Sequence, residues 1–247
     1  MADVDDQLET LARGDGVLGE VALRRRIGAD EQPIFELIVN GMFLMDTAET
    51  ATETMLSDVV LDRHPAPRRV LVGGLGLGLT VMALLVDARV EQVVVCEIEP
   101  QLVRWLRSGL VPMAQPMLAD PRVDINVADV IDVLRDAESE SYDALLLDVD
   151  NGPAFLVHPH NAALYEGPAL AEVARVLVPS GLFAVWSADP SADLLAALTD
   201  VIGPSEEIVR TVVRDGRDVE YYLYVAQRVV AGPLAPAPPE LDDVRHD

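Results

Sequence analysis

The sequence predicts an α/β protein with a mostly parallel, doubly wound sheet, preceded by a small antiparallel β unit. Three features lead to this fold class. Strand-like and helix-like segments alternate after Pro67, a glycine-rich turn joins the first of these strands to its helix, and the second strand ends in an acidic residue. Such alternation favours right-handed crossovers, which place helices on both faces of a parallel sheet.

Composition limits the classes of partner. The 247 residues, half of them hydrophobic, are enough for one large domain, and the net charge of -24 disfavours nucleic acids and anionic membranes. An acidic surface admits cationic substrates, although it more often serves solubility. No run of about 18 apolar residues occurs, so no membrane span is expected, and the protein is predicted to be cytoplasmic.

Before the main domain, the sequence divides into two parts. Residues 1–16 are polar and predict a flexible leader. Residues 17–61 predict an N-terminal β unit and a connecting helix, because two β-rich segments with an Asn40-Gly41 turn precede an amphipathic pattern over residues 50–61. The sequence DRHPAP then ends that helix.

The main domain is expected over residues 62–230. Its predicted parallel strands cover residues 70–72, 92–96, 123–127, 144–147 and 182–186. The helices after these strands are expected to begin at Thr80, Gln101, Val130, Asn161 and Ser191. Residues 206–214 and 219–226 flank Asp215-Gly216 and predict an antiparallel C-terminal hairpin, and the proline-rich residues 231–247 predict a disordered tail.

The glycine turn is the first candidate binding element. Gly74, Gly76 and Gly78 follow the strand at residues 70–72 and precede a helix, so the backbone can approach a ligand while free helix amides point at it. Glu97 ends the next strand 23 residues after Gly74, where a carboxylate can bind the hydroxyls of a ribose.

Two further strands also end in acidic residues. Asp129 could accept a hydrogen bond from an adenine amino group, and Asp148 and Asp150 could face the reacting end of the ligand. Each position has a purely structural alternative: the glycines could allow close packing, Glu97 could be a solvated strand end, and Asp129 could cap the next helix. Glu99 is interpreted as a helix start.

The motifs resemble those of the spermidine synthase-like family, the polyamine aminopropyltransferases, which have the Rossmann-like fold of class I S-adenosylmethionine-dependent methyltransferases. The similar segments are HPAPRRVLVGGLGLG, CEIEP, ADV, LLLDVDNGPA and NAALY. The resemblance implies that decarboxylated S-adenosylmethionine or S-adenosylmethionine is the co-substrate and that a small-molecule amine is the acceptor. It also implies a homodimer, with the β unit contributing dimer contacts and a lid.

By this resemblance, Asp148 binds and deprotonates the acceptor amine, Asp150 steers the cation, and Tyr165 lines the amine side. A free alkylamine has a pKa of about 10 and needs such a base at neutral pH. The adenosine would be held by Gly74, Gly76, Gly78, Glu97 and Asp129.

Several residues differ from the family pattern. Leu77 replaces the aspartate that usually binds the amine of the aminopropyl group, and Met45, Thr52 and Asp58 occur where acceptor-binding residues are usual. Trp186 stands where a glutamine is common. These departures leave two alternatives open, a methyltransferase that uses intact S-adenosylmethionine and a noncatalytic nucleoside-binding homologue.

No metal is expected. Cys96 is the only cysteine, so neither an internal disulfide nor a cysteine-rich metal site can form, and its apolar neighbours indicate an inert core thiol. His158 and His160 lie close together, but two nearby histidines are more often loop residues than metal ligands.

Overall fold

Two β-sheets organise the chain. A computed structural model describes residues 8–48, 50–149, 152–153, 156, 159–214 and 217–229. The first sheet is antiparallel, with four strands in the order β1-β2-β3-β4. These strands are Glu9–Gly16, Gly19–Ile27, Pro33–Val39 and Met42–Asp46. Asn40 and Gly41 connect β3 to β4 with φ angles of 51° and 76°, the geometry of a two-residue hairpin turn, which confirms the predicted turn.

Strand β1 differs from the expectation of a flexible leader over residues 1–16. Residues 9–16 pair antiparallel with β2 over the length of the strand. The sequence ETLARGDG has one large apolar residue, Leu11, so it lacks the alternation that predicts a strand. Its conformation depends instead on long-range pairing with β2. Residues 1–7 lie outside the described part of the chain.

The second sheet has seven strands in the order β10-β11-β9-β8-β5-β6-β7. Its strands are Arg69–Gly73 (β5), Gln92–Glu97 (β6), Val123–Val127 (β7), Tyr142–Leu147 (β8), Leu177–Ser187 (β9), Ser205–Arg214 (β10) and Arg217–Gln227 (β11). Strands β5 to β9 pair in parallel, whereas β11 is antiparallel to both β9 and β10. The mostly parallel sheet and the C-terminal hairpin are therefore confirmed, although the turn residues Asp215 and Gly216 are not described.

Helices cover both faces of this sheet. They are Ala51–Arg63 (α1), Leu79–Leu85 (α2), Pro100–Arg107 (α3), Gln115–Ala119 (α4), Val130–Asp136 (α5), Gly167–Val176 (α6) and Ala192–Val201 (α7). Val70 and Val72 of β5 pack on the face with α1 to α4, and Leu71 packs on the face with α5 to α7. Within the described residues, no helix is long and apolar enough to cross a bilayer.

The helix expected from Asn161 is two elements. A 3-10 helix covers Pro159–Tyr165, and α6 begins at Gly167. Pro168 occupies the first turn of α6, where its missing N–H costs no intrahelical hydrogen bond, so a new helix starts there.

The strand order reverses at β5, which lies between β6 and β8. Backbone hydrogen bonds continue just past the strand ends: Gly74 N donates to Cys96 O at 2.8 Å, and Asp148 N donates to Gly73 O at 2.8 Å. The residues that follow β5, β6 and β8 therefore lie side by side at one edge, the usual ligand position in such sheets.

Candidate active site

A cavity opens at this edge, between the strand ends and the N-terminal sheet. Its total empty volume is about 1170 Å³, including the part open to solvent. Five of the residues predicted to bind ligand or to react line it: Gly74, Gly76, Glu97, Asp129 and Asp148. Carboxylates from the ends of three strands and the backbone of the glycine turn therefore line the same cavity.

The glycine turn permits two close contacts. Gly74 has a φ of 91°, and a Cβ there would lie 2.1 Å from the carbonyl oxygen of Asp148. Gly76 has a φ of 50°, and a Cβ there would lie 2.6 Å from Met45 Sδ. At Gly74 the backbone of Asp148 leaves no room for a side chain, whereas at Gly76 a side chain is disfavoured by the positive φ and would have to displace Met45.

Gly78 differs from the other two glycines. It is the N-cap of α2 with a φ of 89°, and a Cβ would meet Met117 Cε at 3.0 Å. It does not line the cavity formed by the described residues. Its observed contacts are those of a helix start packed on α4, so its predicted contact with the ligand stays a prediction.

Glu97 organises the part of the cavity next to the glycine turn. The side chain is buried, and its two carboxylate oxygens accept hydrogen bonds from Leu75 N at 2.9 Å and Glu99 N at 2.8 Å. Burial raises the pKa of Glu97, whereas these backbone N–H groups oppose the rise. A carboxylate has about four lone-pair sites, so acceptor capacity is left for a diol.

Asp129 combines two roles. Its Oδ1 accepts a hydrogen bond from Ile131 N at 2.8 Å, which makes it the N-cap of α5 as one interpretation of the sequence predicted. Its Oδ2 lies 3.1 Å from His160 Nε2. Both residues also line the cavity, so a ligand there would meet an Asp129–His160 pair rather than an isolated carboxylate.

Asp148 follows β8 and is half-buried in the cavity. Burial raises its pKa to about 6, although a hydrogen bond from Thr80 opposes the rise. Thr80 Oγ1 lies 3.0 Å from Asp148 Oδ2, and Thr80 O accepts a hydrogen bond of 2.7 Å from Ser57 Oγ. A residue of α2 therefore positions Asp148 by a hydrogen bond, and a second hydrogen bond links α2 to α1.

Glu99 does more than start a helix. It caps α3 through Gln101 N at 3.0 Å, as predicted, but its Oε2 also accepts a hydrogen bond of 2.7 Å from Val17 N. Val17 lies between β1 and β2, so Glu99 holds that hairpin against the cavity. Sequence reasoning missed this contact because 82 positions separate the two residues.

Met45 and Trp186 add apolar surface beside the predicted reacting end. Met45 Sδ accepts a hydrogen bond from Leu77 N at 3.4 Å, and both Met45 and Trp186 line the cavity. Trp186 packs on Tyr221 with ring centroids 5.3 Å apart, and its buried Nε1 has no partner among the described residues. Leu77 is fully buried.

The other predicted site residues are placed differently. Tyr165 packs against the core around α6 and does not line the cavity of the described residues. Asp150 and His158 lie outside those residues.

Burial raises the pKa of Cys96 to about 12, which fits an unreactive thiol. No group of three potential metal ligands occurs in the described part of the chain.

The fold defines the class of protein: it is a class I methyltransferase-like fold, with a cavity at the carboxyl ends of its parallel strands. Solved structures have the same fold. A spermidine synthase in complex with the transition-state analogue AdoDATO superposes with a TM-score of 0.74 and 19% identity, covering 89% of this chain and 73% of that one. Spermidine synthase from Thermotoga maritima gives 0.73 and 19%, covering 89% and 72%.

The family follows from the sequence comparison. The family model of the spermine/spermidine synthase domain matches residues 49–199, and the chain belongs to this family. Spermidine synthase 1 of Pisum sativum is 32% identical over 149 residues, 59% of this chain and 42% of the relative. A polyamine aminopropyltransferase of Clostridium tetani is 28% identical over 138 residues, 55% and 46% respectively. The chain spans less than half the length of these relatives.

Proposed function

We propose that the protein transfers an aminopropyl group from decarboxylated S-adenosylmethionine to the nitrogen of a small amine and releases methylthioadenosine. One observation carries the proposal: a half-buried carboxylate with a pKa raised to about 6, Asp148, faces the same cavity as the glycine turn and Glu97. The relatives named spermidine synthase and polyamine aminopropyltransferase support it.

In this proposal the adenosine lies along the strand ends. Glu97 accepts hydrogen bonds from the ribose hydroxyls, and Asp129 accepts one from the adenine amino group. Gly74 and Gly76 let the backbone approach the ligand. Gly78 contributes by starting α2.

The charge of the cavity favours a decarboxylated donor. None of its described lining residues is Arg or Lys, and residues 150–158 contain neither. Among these residues the carboxylate of intact S-adenosylmethionine would have no Arg or Lys partner, and it would be repelled by Asp148, which is ionised above pH 6. A decarboxylated donor carries only positive charge and avoids this cost.

The chemical step is a displacement at carbon. The amine nitrogen supplies the electron pair of the new C–N bond, the bond from the aminopropyl carbon to sulfur breaks, and its electrons neutralise the sulfonium. The amine proton passes to Asp148 and then to solvent. Holding both reactants in one cavity supplies much of the rate.

The remaining roles are predictions from the resemblance. Asp150 would steer the cationic acceptor, and Tyr165 would act on the amine side, although it does not line the described cavity. A homodimer and a cytoplasmic location are also predictions, as is the lack of nucleic-acid and membrane partners.

The test is incubation of the purified chain with either donor and a panel of amines, followed by mass spectrometry of the products. Methylthioadenosine from the decarboxylated donor supports the proposal. S-adenosylhomocysteine from the intact donor would indicate methyl transfer instead. Binding of methylthioadenosine without turnover of either donor would indicate a noncatalytic homologue.

A further inference from the structure

We infer that the indole ring of Trp186 binds the reacting nitrogen of the acceptor amine by a cation–π contact, next to the carboxylate of Asp148. This contact rests on the proposed aminopropyl transfer and adds a second group that recognises the acceptor. Three features lead to it: the strand that carries Trp186, the neighbours on each side of the indole, and the order of the strand ends along the cavity.

Trp186 and Asp148 leave neighbouring strands at the same level. Leu147 of β8 pairs in parallel with Val185 of β9, so the residues that follow them lie side by side. Leu147 and Val185 pack on the sheet face with α5 to α7. Because side chains alternate along a strand, the next residue of each strand points to the other face. Trp186 packs there, the hydrogen bond from Thr80 holds Asp148 there, and both line the cavity.

The flanking strands determine which sides of this pair are covered. Thr80 follows β5, on the side of β8 away from Trp186, and its hydroxyl occupies Oδ2 of Asp148. Tyr221 of β11 packs on the indole from the opposite side, with ring centroids 5.3 Å apart and a tilt of 31°. The cavity therefore reaches the indole from the side of Asp148.

The indole offers its ring rather than its N–H group to a ligand. Nε1 of Trp186 is buried and has no hydrogen-bond partner among the described residues, an arrangement that is unfavourable for a polar group. The N–H group thus adds nothing that a phenylalanine would lack at this position. The ring is different, since the face of tryptophan attracts cations more strongly than that of phenylalanine or tyrosine.

The order of the strand ends assigns this cation to the acceptor. Along the edge from β7 to β9, the cavity presents Asp129, Glu97, the glycine turn, Asp148 and Trp186. The proposed adenosine occupies the first three, which places the reacting carbon near Asp148. The attacking nitrogen must approach from the side opposite the departing sulfur, because the reacting orbitals have to be aligned. The acceptor therefore lies at the end of the cavity with Trp186.

The indole and the carboxylate act on the same nitrogen in different ways. Asp148 removes the proton, whereas the indole attracts the positive charge without taking a proton. As the C–N bond forms and the C–S bond breaks, the positive charge passes from sulfur to nitrogen, so the indole also stabilises the transition state. Cation steering by Asp150 is compatible with this contact, because a carboxylate and a ring face can attract the same cation.

The experiment compares Trp186→Phe and Trp186→Leu with the wild-type chain. Decarboxylated S-adenosylmethionine is the donor, methylthioadenosine release is measured, and the acceptor is whichever of 1,4-diaminobutane and butylamine the wild type uses better. We expect KM for the amine to rise by about 5–30-fold in Trp186→Leu and by less in Trp186→Phe. KM for the donor should stay within about twofold, which loss of the fold would not allow.

Three results would overturn the inference while leaving aminopropyl transfer intact. An unchanged amine KM in Trp186→Leu would show that the indole does not bind the acceptor. A rise confined to the KM of the donor would assign the indole to the donor. Equal effects of Trp186→Phe and Trp186→Leu would mean that the ring face is not the group that binds.

Trp105 is the matched control, since it is the only other tryptophan of the chain. It packs against the core from α3 and does not line the cavity formed by the described residues. Trp105→Leu should leave KM for the amine within about twofold of wild type. An effect as large as that of Trp186→Leu would point to a general loss of packing and contradict the contact.

A change of charge distribution without a change of side-chain class completes the test. Tryptophan analogues with one and three fluorine atoms on the indole are placed at position 186 by nonsense suppression. Fluorine withdraws electrons from the ring face, so KM for the amine should rise with each step, by about twofold or more. Equal KM values across the series would overturn the inference. If neither amine releases methylthioadenosine with the wild type, the inference and the proposed function are both refuted.

Discussion

The hydroxyl of Thr80 donates a 3.0 Å hydrogen bond to Oδ2 of Asp148 and so joins the first turn of α2 to the end of β8. This bond favours the ionised carboxylate, whereas burial favours the protonated acid. The balance leaves the pKa of Asp148 at about 6, where the group is ionised at neutral pH and can accept a proton.

Thr80→Val should raise the pKa of Asp148 further, because only burial would then act on it. The acid limb of the pH profile of kcat/KM should move up by about 1–2 pH units, the size expected for a lost hydrogen bond to a charged group. Thr80→Ser keeps the hydroxyl and should restore the profile. An unchanged profile in Thr80→Val would show that the hydroxyl does not act on the ionisation of Asp148.

Asp148→Asn should stabilise the fold at neutral pH. The folded pKa of about 6 exceeds the ordinary 3.8, so the cost of burying the charge is present above pH 6 and disappears below about pH 4. The gain in the free energy of unfolding should be about 1–3 kcal/mol at pH 7.5 and near zero at pH 4. Urea denaturation at both pH values measures it.

The matched control for this change is Asp132→Asn, which removes the same charge from an exposed side chain paired with Arg135. Its effect on the free energy of unfolding should stay within about 0.5 kcal/mol at both pH values. A pH-independent effect of Asp148→Asn, equal to that of the control, would contradict the raised pKa.

Glu97→Ala should weaken the binding of methylthioadenosine by about 10²–10³-fold, because two charge-assisted hydrogen bonds to the ribose are lost. Titration calorimetry measures the dissociation constant. The 2′-deoxy analogue separates ribose contact from damage to the turn: it should bind wild type more weakly, and Glu97→Ala should bind both nucleosides alike. If Glu97→Ala still bound the 2′-deoxy analogue more weakly than methylthioadenosine, Glu97 would not be the residue that contacts the ribose hydroxyls.

Gly74→Ala should sharply reduce both stability and nucleoside binding, since its Cβ would lie 2.1 Å from the carbonyl oxygen of Asp148 at a φ of 91°. We expect a loss of more than about 2 kcal/mol in the free energy of unfolding. Gly167→Ala, at the start of α6, is the control, because nothing among the described residues lies within 4 Å of the position its Cβ would take. Similar effects of both substitutions on urea denaturation would argue against the close approach at Gly74.

Local patterns in the sequence predict much of the fold. The step from β5 through the glycine turn to α2, the acidic ends of β6 and β8 and the Asn40-Gly41 turn all depend on neighbouring residues, and the structure contains each of them. Strand β1 could not be predicted in this way, because its conformation depends on pairing with β2.

The site was predictable only in part, for a similar reason. Glu97, Asp129 and Asp148 lie at or just after strand ends, so topology alone brings them to one edge. The contacts of Thr80 with Asp148, Glu99 with Val17 and Met45 with Leu77 join distant segments through side chains. Of these contacts, only the one made by Thr80 could have been predicted from the sequence, because Thr80 lies in the first helical turn after the glycines and that turn faces the strand ends.

The most direct test of the proposed chemistry is a single-turnover measurement of methylthioadenosine formation by wild type and Asp148→Asn, with the decarboxylated donor and a reactive amine. We expect the substitution to slow formation by at least about 10²-fold, while the dissociation constant of methylthioadenosine stays within about threefold. Equal rates for the two proteins would contradict the assignment of Asp148 as the base.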